Sequence, residues 1–237
     1  MKIKDASVFV TGGNRGLGKA LVDEALARGA AKVYATARDP KTITTDPRVV
    51  PLHLELTDPA SIEAAVAQAP DVNLLINNAG VTLAADLLDG DLAEVRREIE
   101  INFFGPLQVT RAFAPRLIAN GGHLVNVQST LAWFAMLGGY AASKAAGWSA
   151  TNTLRQQLHP HGVGVTGVYA GWIDTDMAAE RAAETDLKTP PADVARMTID
   201  AVEAGQHEVL ADDWTHLVKN ALAADIPTLY PHLAATA

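Results

Sequence analysis

A short apolar run, Ser7-Val8-Phe9-Val10-Thr11, breaks at Gly12-Gly13-Asn14-Arg15-Gly16-Leu17-Gly18 and resumes with Leu17, Leu21 and Ala25 on one helical face. Few folds accept a strand, a glycine turn and a helix in direct succession. The arrangement leaves backbone N–H groups and a helix N-terminus facing outward, where a pyrophosphate can bind. Glycines suit the turn because a side chain would hold the phosphate away. Gly12, Asn14, Arg15, Gly16, Leu17 and Gly18 are therefore the candidate phosphate-side contacts.

The rest of the chain repeats the alternation of strand and helix. Further strands are expected at Lys32 to Ala37, Val49 to Glu55, Val72 to Ile76, His123 to Val127, Val163 to Tyr169 and His207 to Ala211. Val72 to Ile76 is unbroken and apolar, as a parallel strand covered on both faces must be. Thr57-Asp58-Pro59 starts a helix, with Asp58 as cap and Pro59 in the first turn. Another helix is expected from about Gly139 to His159, and a third begins around Thr189-Pro190-Pro191. No repeat, linker or composition break appears, so residues 1–237 are expected to form one domain. Residues 176–188, polar and alanine-rich, are expected to act as a substrate lid.

Composition removes several chemistries. The chain has no cysteine, which excludes disulfides, thiolate nucleophiles and thiolate-bound metals. Its seven histidines are scattered, and no metal site is expected. With 27 acidic against 19 Lys and Arg residues, a formal charge of −8, the chain has little positive charge to spare for a basic face, and no nucleic-acid partner is expected. The run after Met1-Lys2-Ile3-Lys4-Asp5 is too short for the apolar core of a signal peptide, and no stretch reaches the ~20 apolar residues of a membrane span. A cytoplasmic protein is expected.

Chemistry-bearing residues gather at the expected carboxyl ends of the strands. The second strand ends at Arg38, where a dinucleotide fold meets the adenosine ribose; an arginine there, helped by Arg15, suits the 2′-phosphate of NADP(H). The fourth ends at Asn77-Asn78-Ala79-Gly80, whose amides must be satisfied internally. Asn102 lies among apolar residues next to Gly105-Pro106, which interrupts helical bonding; the residues alone fit equally a satisfied buried amide and a position whose freed backbone groups hold water. Ser129 follows the fifth strand. Leu131, Trp133, Phe134 and Met136 come next, and with Trp172 and Met177 they are expected to wall a substrate pocket.

Tyr140 and Lys144 stand four apart at the start of the helix from Gly139, on one face. A free phenol titrates near ~10 and a free ammonium near ~10.4. At about 4 Å and an effective dielectric of roughly 20, the cation favours phenolate by on the order of 4 kcal/mol, or about three pKa units. The pair is thus expected to bring Tyr140 close to ~7, where an acid or base works best.

In combination these motifs resemble the short-chain dehydrogenase/reductase family, from Thr11 to about Thr175. The turn at Thr11–Gly18 fits its TGxxxGxG, Asn77–Gly80 its NNAG, and Asn102, Ser129, Tyr140 and Lys144 its catalytic positions. The resemblance implies a three-layer, doubly wound Rossmann fold with a seven-stranded parallel sheet. It implies hydride transfer between NADP(H) and a carbonyl or alcohol carbon, in the manner of a carbonyl reductase or alcohol dehydrogenase. Tyr140 is then the proton donor, Lys144 its activator and ribose ligand, Ser129 the group that positions the carbonyl oxygen, and Asn102 the holder of a water. Cofactor contacts are also implied at Glu55, Leu56, Asn78, Ala79, Gly80, Gly171, Ile173 and Thr175. The sequence departs from the family at Glu55, commonly aspartate, at Ala170, commonly proline, and in a Ser129-to-Tyr140 spacing of eleven.

The expected substrate is a small to medium, fairly apolar ketone, aldehyde or alcohol. Two other readings use the same residues: a reductase of carrier-bound 3-oxoacyl chains, which the acidic balance disfavours, and a non-catalytic NADPH-binding scaffold, which would not need Ser129, Tyr140 and Lys144 together. The helices around residues 102–119 and 139–159 are apolar enough to predict a homodimer or homotetramer.

Overall fold

Apolar strands alternating with amphipathic helices can bury both faces of a sheet only if helices cross over it on each side. The computed structural model, which describes residues 1–179 and 187–233, has this form. Its elements are β1 Ser7–Val10, α1 Gly16–Ala27, β2 Lys32–Ala37, β3 Val49–His53, α2 Pro59–Ala67, β4 Leu74–Asn77, α3 Leu92–Ile99, α4 Gly105–Ala119 and β5 His123–Val127. They continue with α5 Gly139–Leu158, β6 Gly164–Tyr169, α6 Asp176–Ala179, α7 Pro191–Ala204, β7 Glu208–Leu210, α8 Asp213–Asn220 and α9 Ile226–Leu229. The seven strands are parallel, in the order β3-β2-β1-β4-β5-β6-β7.

Period-two alternation along β1 sorts the helices into two layers. Val8 and Val10 point into a core shared with Leu17, Leu21 and Val22 of α1 and Val194, Ile199 and Val202 of α7. Phe9 points the other way, into a core with Ile62 of α2, Phe113 and Leu117 of α4 and Leu158 of α5. Strand order reverses between β1 and β4, because β1 pairs with β2 on one side and β4 on the other. That reversal opens a crevice at the carboxyl ends of the strands, the place where such sheets take their ligands.

Two local details position the site. Between α3 and α4 the helix widens into a π turn at Glu100–Phe104, where the Gly105 N–H reaches back five residues to the Glu100 carbonyl. Pro106 brings no N–H to the carbonyl four residues back, that of Asn102, so the expected interruption falls there. The third strand stops at His53 rather than Glu55, because the Glu55 N–H is taken by the Ser61 hydroxyl at 2.9 Å as the chain turns into α2. Of the expected lid, residues 176–179 form α6 and residues 180–186 lie outside the described residues. Among the described residues no helix is long and apolar enough to cross a membrane.

Candidate active site

The glycine turn sits at the mouth of the crevice and tolerates no side chain where it matters most. A Cβ on Gly18 would lie 1.9 Å from the Gly12 carbonyl oxygen and 2.6 Å from Asn78 Nδ2, so α1 closes directly on the turn. Gly12 and Gly16 have φ of +67° and +53°, which favour glycine. The turn is tied to the end of β4: Asn78 Nδ2 donates to the carbonyls of Thr11 at 2.9 Å and Gly12 at 3.3 Å, and the Thr11 hydroxyl accepts from the N–H groups of Asn78 and Ala79 at 2.9 Å. Asn77 is bonded internally, its Nδ2 donating to Thr110 Oγ1 at 2.8 Å and Asn126 Oδ1 at 3.0 Å. The Asn-Asn pair is thus a brace, with Asn78 under the turn and Asn77 under the sheet.

A cavity of about 880 Å³ runs from this turn along the carboxyl ends of the strands. On its wall stand the turn residues Gly12, Asn14, Arg15, Gly16, Leu17 and Gly18, with Arg38, Glu55, Leu56, Asn78, Ala79 and Gly80. Ser129, Tyr140, Lys144, Gly171, Ile173 and Thr175 complete the set read from the sequence as cofactor and catalytic candidates, Asn102 apart. Arg38 is exposed, its backbone carbonyl bonded to His53 Nδ1 at 2.8 Å. Arg15 pairs with Asp176 at 3.2 Å, but both side chains are mostly exposed, so the pair adds little stability. Glu55 accepts from the N–H and hydroxyl of Thr57 at 3.2 and 3.1 Å.

Tyr140 and Lys144, on the first turns of α5, reach the same cavity. Lys144 Nζ lies 5.6 Å from the centre of the Tyr140 ring and donates to the Val127 carbonyl at 3.1 Å. Their acid-base properties correct the expectation of a phenol near neutrality. Burial pushes the phenol up to about 12, outweighing its hydrogen bond to Ser129, which pulls it down; the charge of Glu98 adds to the rise. Burial lowers Lys144 to about 8. The ammonium's Coulomb attraction was counted from spacing, whereas the loss of solvent around both groups is set by the fold.

Asn102 does not line this cavity. Its Oδ1 accepts from the Val81 N–H at 2.9 Å, and its Nδ2 donates to the Val81 carbonyl and the Ser143 hydroxyl, each at 2.9 Å. It borders a separate pocket of about 20 Å³ with Gln128 and Gly147, room for one water.

The residues expected to wall the substrate pocket divide between the cavity and the protein around it. Leu131, Trp172 and Met177 line the cavity; Trp133, Phe134 and Met136 do not. Trp133 is buried and stacks on Tyr169 at 4.3 Å between ring centres, Phe134 packs between Trp214 and Tyr230, and Met136 is 38% exposed. In their place the structure brings in Leu137 and, from α8, Trp214. Asp212 sets the approach of α8. Its carboxylate accepts from the Gly171 N–H at 2.7 Å while capping the helix through the Thr215 N–H at 2.8 Å, and a Cβ on Gly171 would meet Trp214 at 2.8 Å. The cap is readable from Asp212-Asp213-Trp214-Thr215; the close approach to Gly171 is not. Thr36, Val81 and Arg97 also line the cavity and carried no sequence signal.

Fold and site together define a nucleotide-binding α/β protein with a tyrosine, a lysine and a serine on the wall of its cavity. Residues 6–186 match the family model for short chain dehydrogenases, and the chain belongs to that family of oxidoreductases. It is 35% identical over 216 residues to the short-chain dehydrogenase PC-15 of Penicillium crustosum, covering 85% of this chain and 76% of that protein. It is 33% identical over 183 residues to the NADPH-dependent 1-acyldihydroxyacetone phosphate reductase of Schizosaccharomyces pombe, covering 73% of this chain and 62% of that one. Among solved structures, a short chain dehydrogenase from Burkholderia cenocepacia in complex with NADP superposes with a TM-score of 0.92 at 37% identity, each chain covered completely. A Burkholderia phymatum member in complex with NAD, 21% identical with a TM-score of 0.84, shares the fold.

Proposed function

We propose that this protein is an NADPH-dependent reductase of ketones or aldehydes, or dehydrogenase of the corresponding alcohols, with Tyr140 as its general acid and base. The observation that carries this reading is that Tyr140, Ser129 and, one helical turn along α5, Lys144 share the wall of the cavity that also takes in the glycine turn. NADP(H) fits that cavity. The turn's missing side chains leave its backbone open to a pyrophosphate at the start of α1, and Arg38 stands exposed beyond β2 where a 2′-phosphate would be held. The NADP and NADPH named for two relatives support the same choice. When bound, the cofactor supplies or accepts the hydride.

The chain's own groups do the rest. Ser129 Oγ orients the carbonyl oxygen of the substrate toward the phenol. Tyr140 gives its proton to that oxygen in reduction and takes it back in oxidation. Lys144 lends positive charge to the phenolate that results and, with the cofactor bound, would hold its nicotinamide ribose. The small pocket beside Asn102 holds a water through which the proton is replaced from solvent. Leu131, Leu137, Trp172, Met177 and Trp214 select apolar carbonyl compounds by excluding water from the reacting carbon.

We also place the protein in the cytoplasm as one domain, with the segment from Asp176 acting as a lid. It assembles as a homodimer or homotetramer through the region of α4 and α5, where Phe104 and Ile118 are 43% and 38% exposed.

Cofactor choice is the direct test. Arg38→Ala is expected to raise KM for NADPH about tenfold while leaving KM for NADH nearly unchanged, the loss of one charge-assisted contact to a phosphate. Steady-state rates with both cofactors over a panel of cyclic and aryl ketones measure it. Equal use of the two cofactors by the parent protein contradicts the NADP(H) assignment.

A further inference from the structure

Glu98 is the only carboxylate among the described residues that is fully buried, and nothing in the hydride-transfer chemistry above uses it. It projects from α3 into the seam between the loop at residues 81–86 and the first turn of α5. Its Oε1 accepts from the N–H groups of Leu83 at 2.6 Å and Ala84 at 3.1 Å, and so holds Ala84 in a left-handed conformation of φ +54°. Its Oε2 is buried without a hydrogen-bond partner and faces Gly139, where a Cβ would lie 2.4 Å away. The same seam is closed by the Gly139 N–H donating to the Ala85 carbonyl at 3.1 Å, and by Gly138, whose Cβ would lie 2.0 Å from that oxygen. Gly139 immediately precedes Tyr140.

A purely structural glutamate would need only the oxygen that holds the loop. Leaving the second oxygen buried and unpaired is costly, and its place beside the helix that carries the reactive phenol gives the expense a use. We propose that Glu98 is a positioning residue for Tyr140: packed on Gly139, it fixes the first turn of α5 against the 81–86 loop and sets a negative charge beside the turn that carries the phenol, so that both the placement and the proton affinity of Tyr140 depend on it. This rests on Tyr140 being the acid and base.

The electrostatic direction agrees with the geometry. The Glu98 charge is among the causes that raise Tyr140. Burial raises Glu98 itself, while the N–H groups of Leu83, Ala84 and Ala85 favour its ionised form. The other ionisable groups around the seam are Glu94 on α3, whose charge also raises Glu98, and Tyr140 and Lys144 on α5. The acid of the loop, Asp86, is bonded to the N–H groups of Leu88 and Asp89.

Glu98→Gln separates charge from shape, because the amide oxygen can still accept from Leu83 and Ala84. Two readouts follow the phenol: the pH profile of cyclohexanol oxidation with NADP+, and ultraviolet difference titration of tyrosinate in the protein alone, with Tyr140→Phe as the blank. Both apparent pKa values are expected to fall by at least about half a unit, with KM for NADP+ within about twofold. An unmoved titration in a folded variant overturns the proposal. Should Glu98→Gln fail to fold, Gly139→Ala decides: its methyl meets Oε2, and kcat is expected to drop about tenfold, whereas a parental kcat shows that the contact transmits nothing. Failure of the general-acid reading looks different, since Tyr140→Phe would then keep its turnover whatever the Glu98 variant does.

Discussion

Tyr140→Phe is expected to lose at least about a thousandfold in kcat for ketone reduction while binding NADPH within about twofold of the parent. The substitution removes one oxygen and leaves the ring, so the first turn of α5 and its packing on the 81–86 loop keep their shape. What disappears is the group proposed to give a proton to the substrate oxygen. The Ser129 hydroxyl, an aliphatic alcohol, is a far weaker acid than a phenol. Lys144 has its ammonium turned to the Val127 carbonyl. Because burial holds the phenol up to about 12, Tyr140 is protonated throughout the physiological range and ready to act as the donor. The reverse reaction needs phenolate, so kcat/KM for alcohol oxidation is expected to climb as pH rises toward that pKa. Stopped-flow NADPH oxidation and fluorescence titration of NADPH binding separate chemistry from affinity. A variant that keeps a tenth of the parent's turnover places the acid elsewhere.

Local spacing and the shape of the site differ in how far they can be read from residues. The glycine turn was legible because its function is local: seven consecutive residues fix a strand end, a turn and a helix start, and the Cβ clash at Gly18 arises within that same unit. The fold class followed from apolar strands separated by helices, since parallel pairing then has few topologies open to it. The substrate wall was less legible. Trp133, Phe134 and Met136 are apolar and follow Ser129 closely, which marks them as buried or packed without saying against what. The fold turns Trp133 to Tyr169 and brings Trp214 to the cavity instead, which no nearby residue announces. The phenol's acidity is not readable from the sequence for a related reason. Sequence spacing reports the distance from Tyr140 to Lys144, but burial and the distant Glu98 contribute from outside that window.

Lys144→Met is expected to abolish turnover and make the protein more stable. The ammonium is buried at 6% exposure, with the Val127 carbonyl as its hydrogen-bond partner, and burial lowers it from 10.5 to about 8. In the unfolded chain the lysine keeps its ordinary pKa. Below about pH 8 both states hold the proton, and the folded state bears the full cost of the buried charge, on the order of 3 kcal/mol. Between the two pKa values the folded state gives up its proton first, the unfolded state binds more protons, and stability rises with pH. Methionine fills similar volume without charge. Subtracting roughly 1 kcal/mol for the carbonyl left without its donor, the variant is expected to gain about 2 kcal/mol near neutral pH, or roughly 4–8 °C in Tm for a chain of this size. The gain should shrink steadily as pH rises through the window in which the parent loses its charge. Over the same range kcat should be down at least about a hundredfold, because a neutral side chain offers no positive charge to the phenolate of Tyr140. Thermal unfolding of parent and variant at neutral and alkaline pH, beside NADPH turnover, measures both halves. A variant that is less stable than the parent at neutral pH, by an amount independent of pH, shows that Lys144 is held for packing and that its burial costs nothing worth recovering.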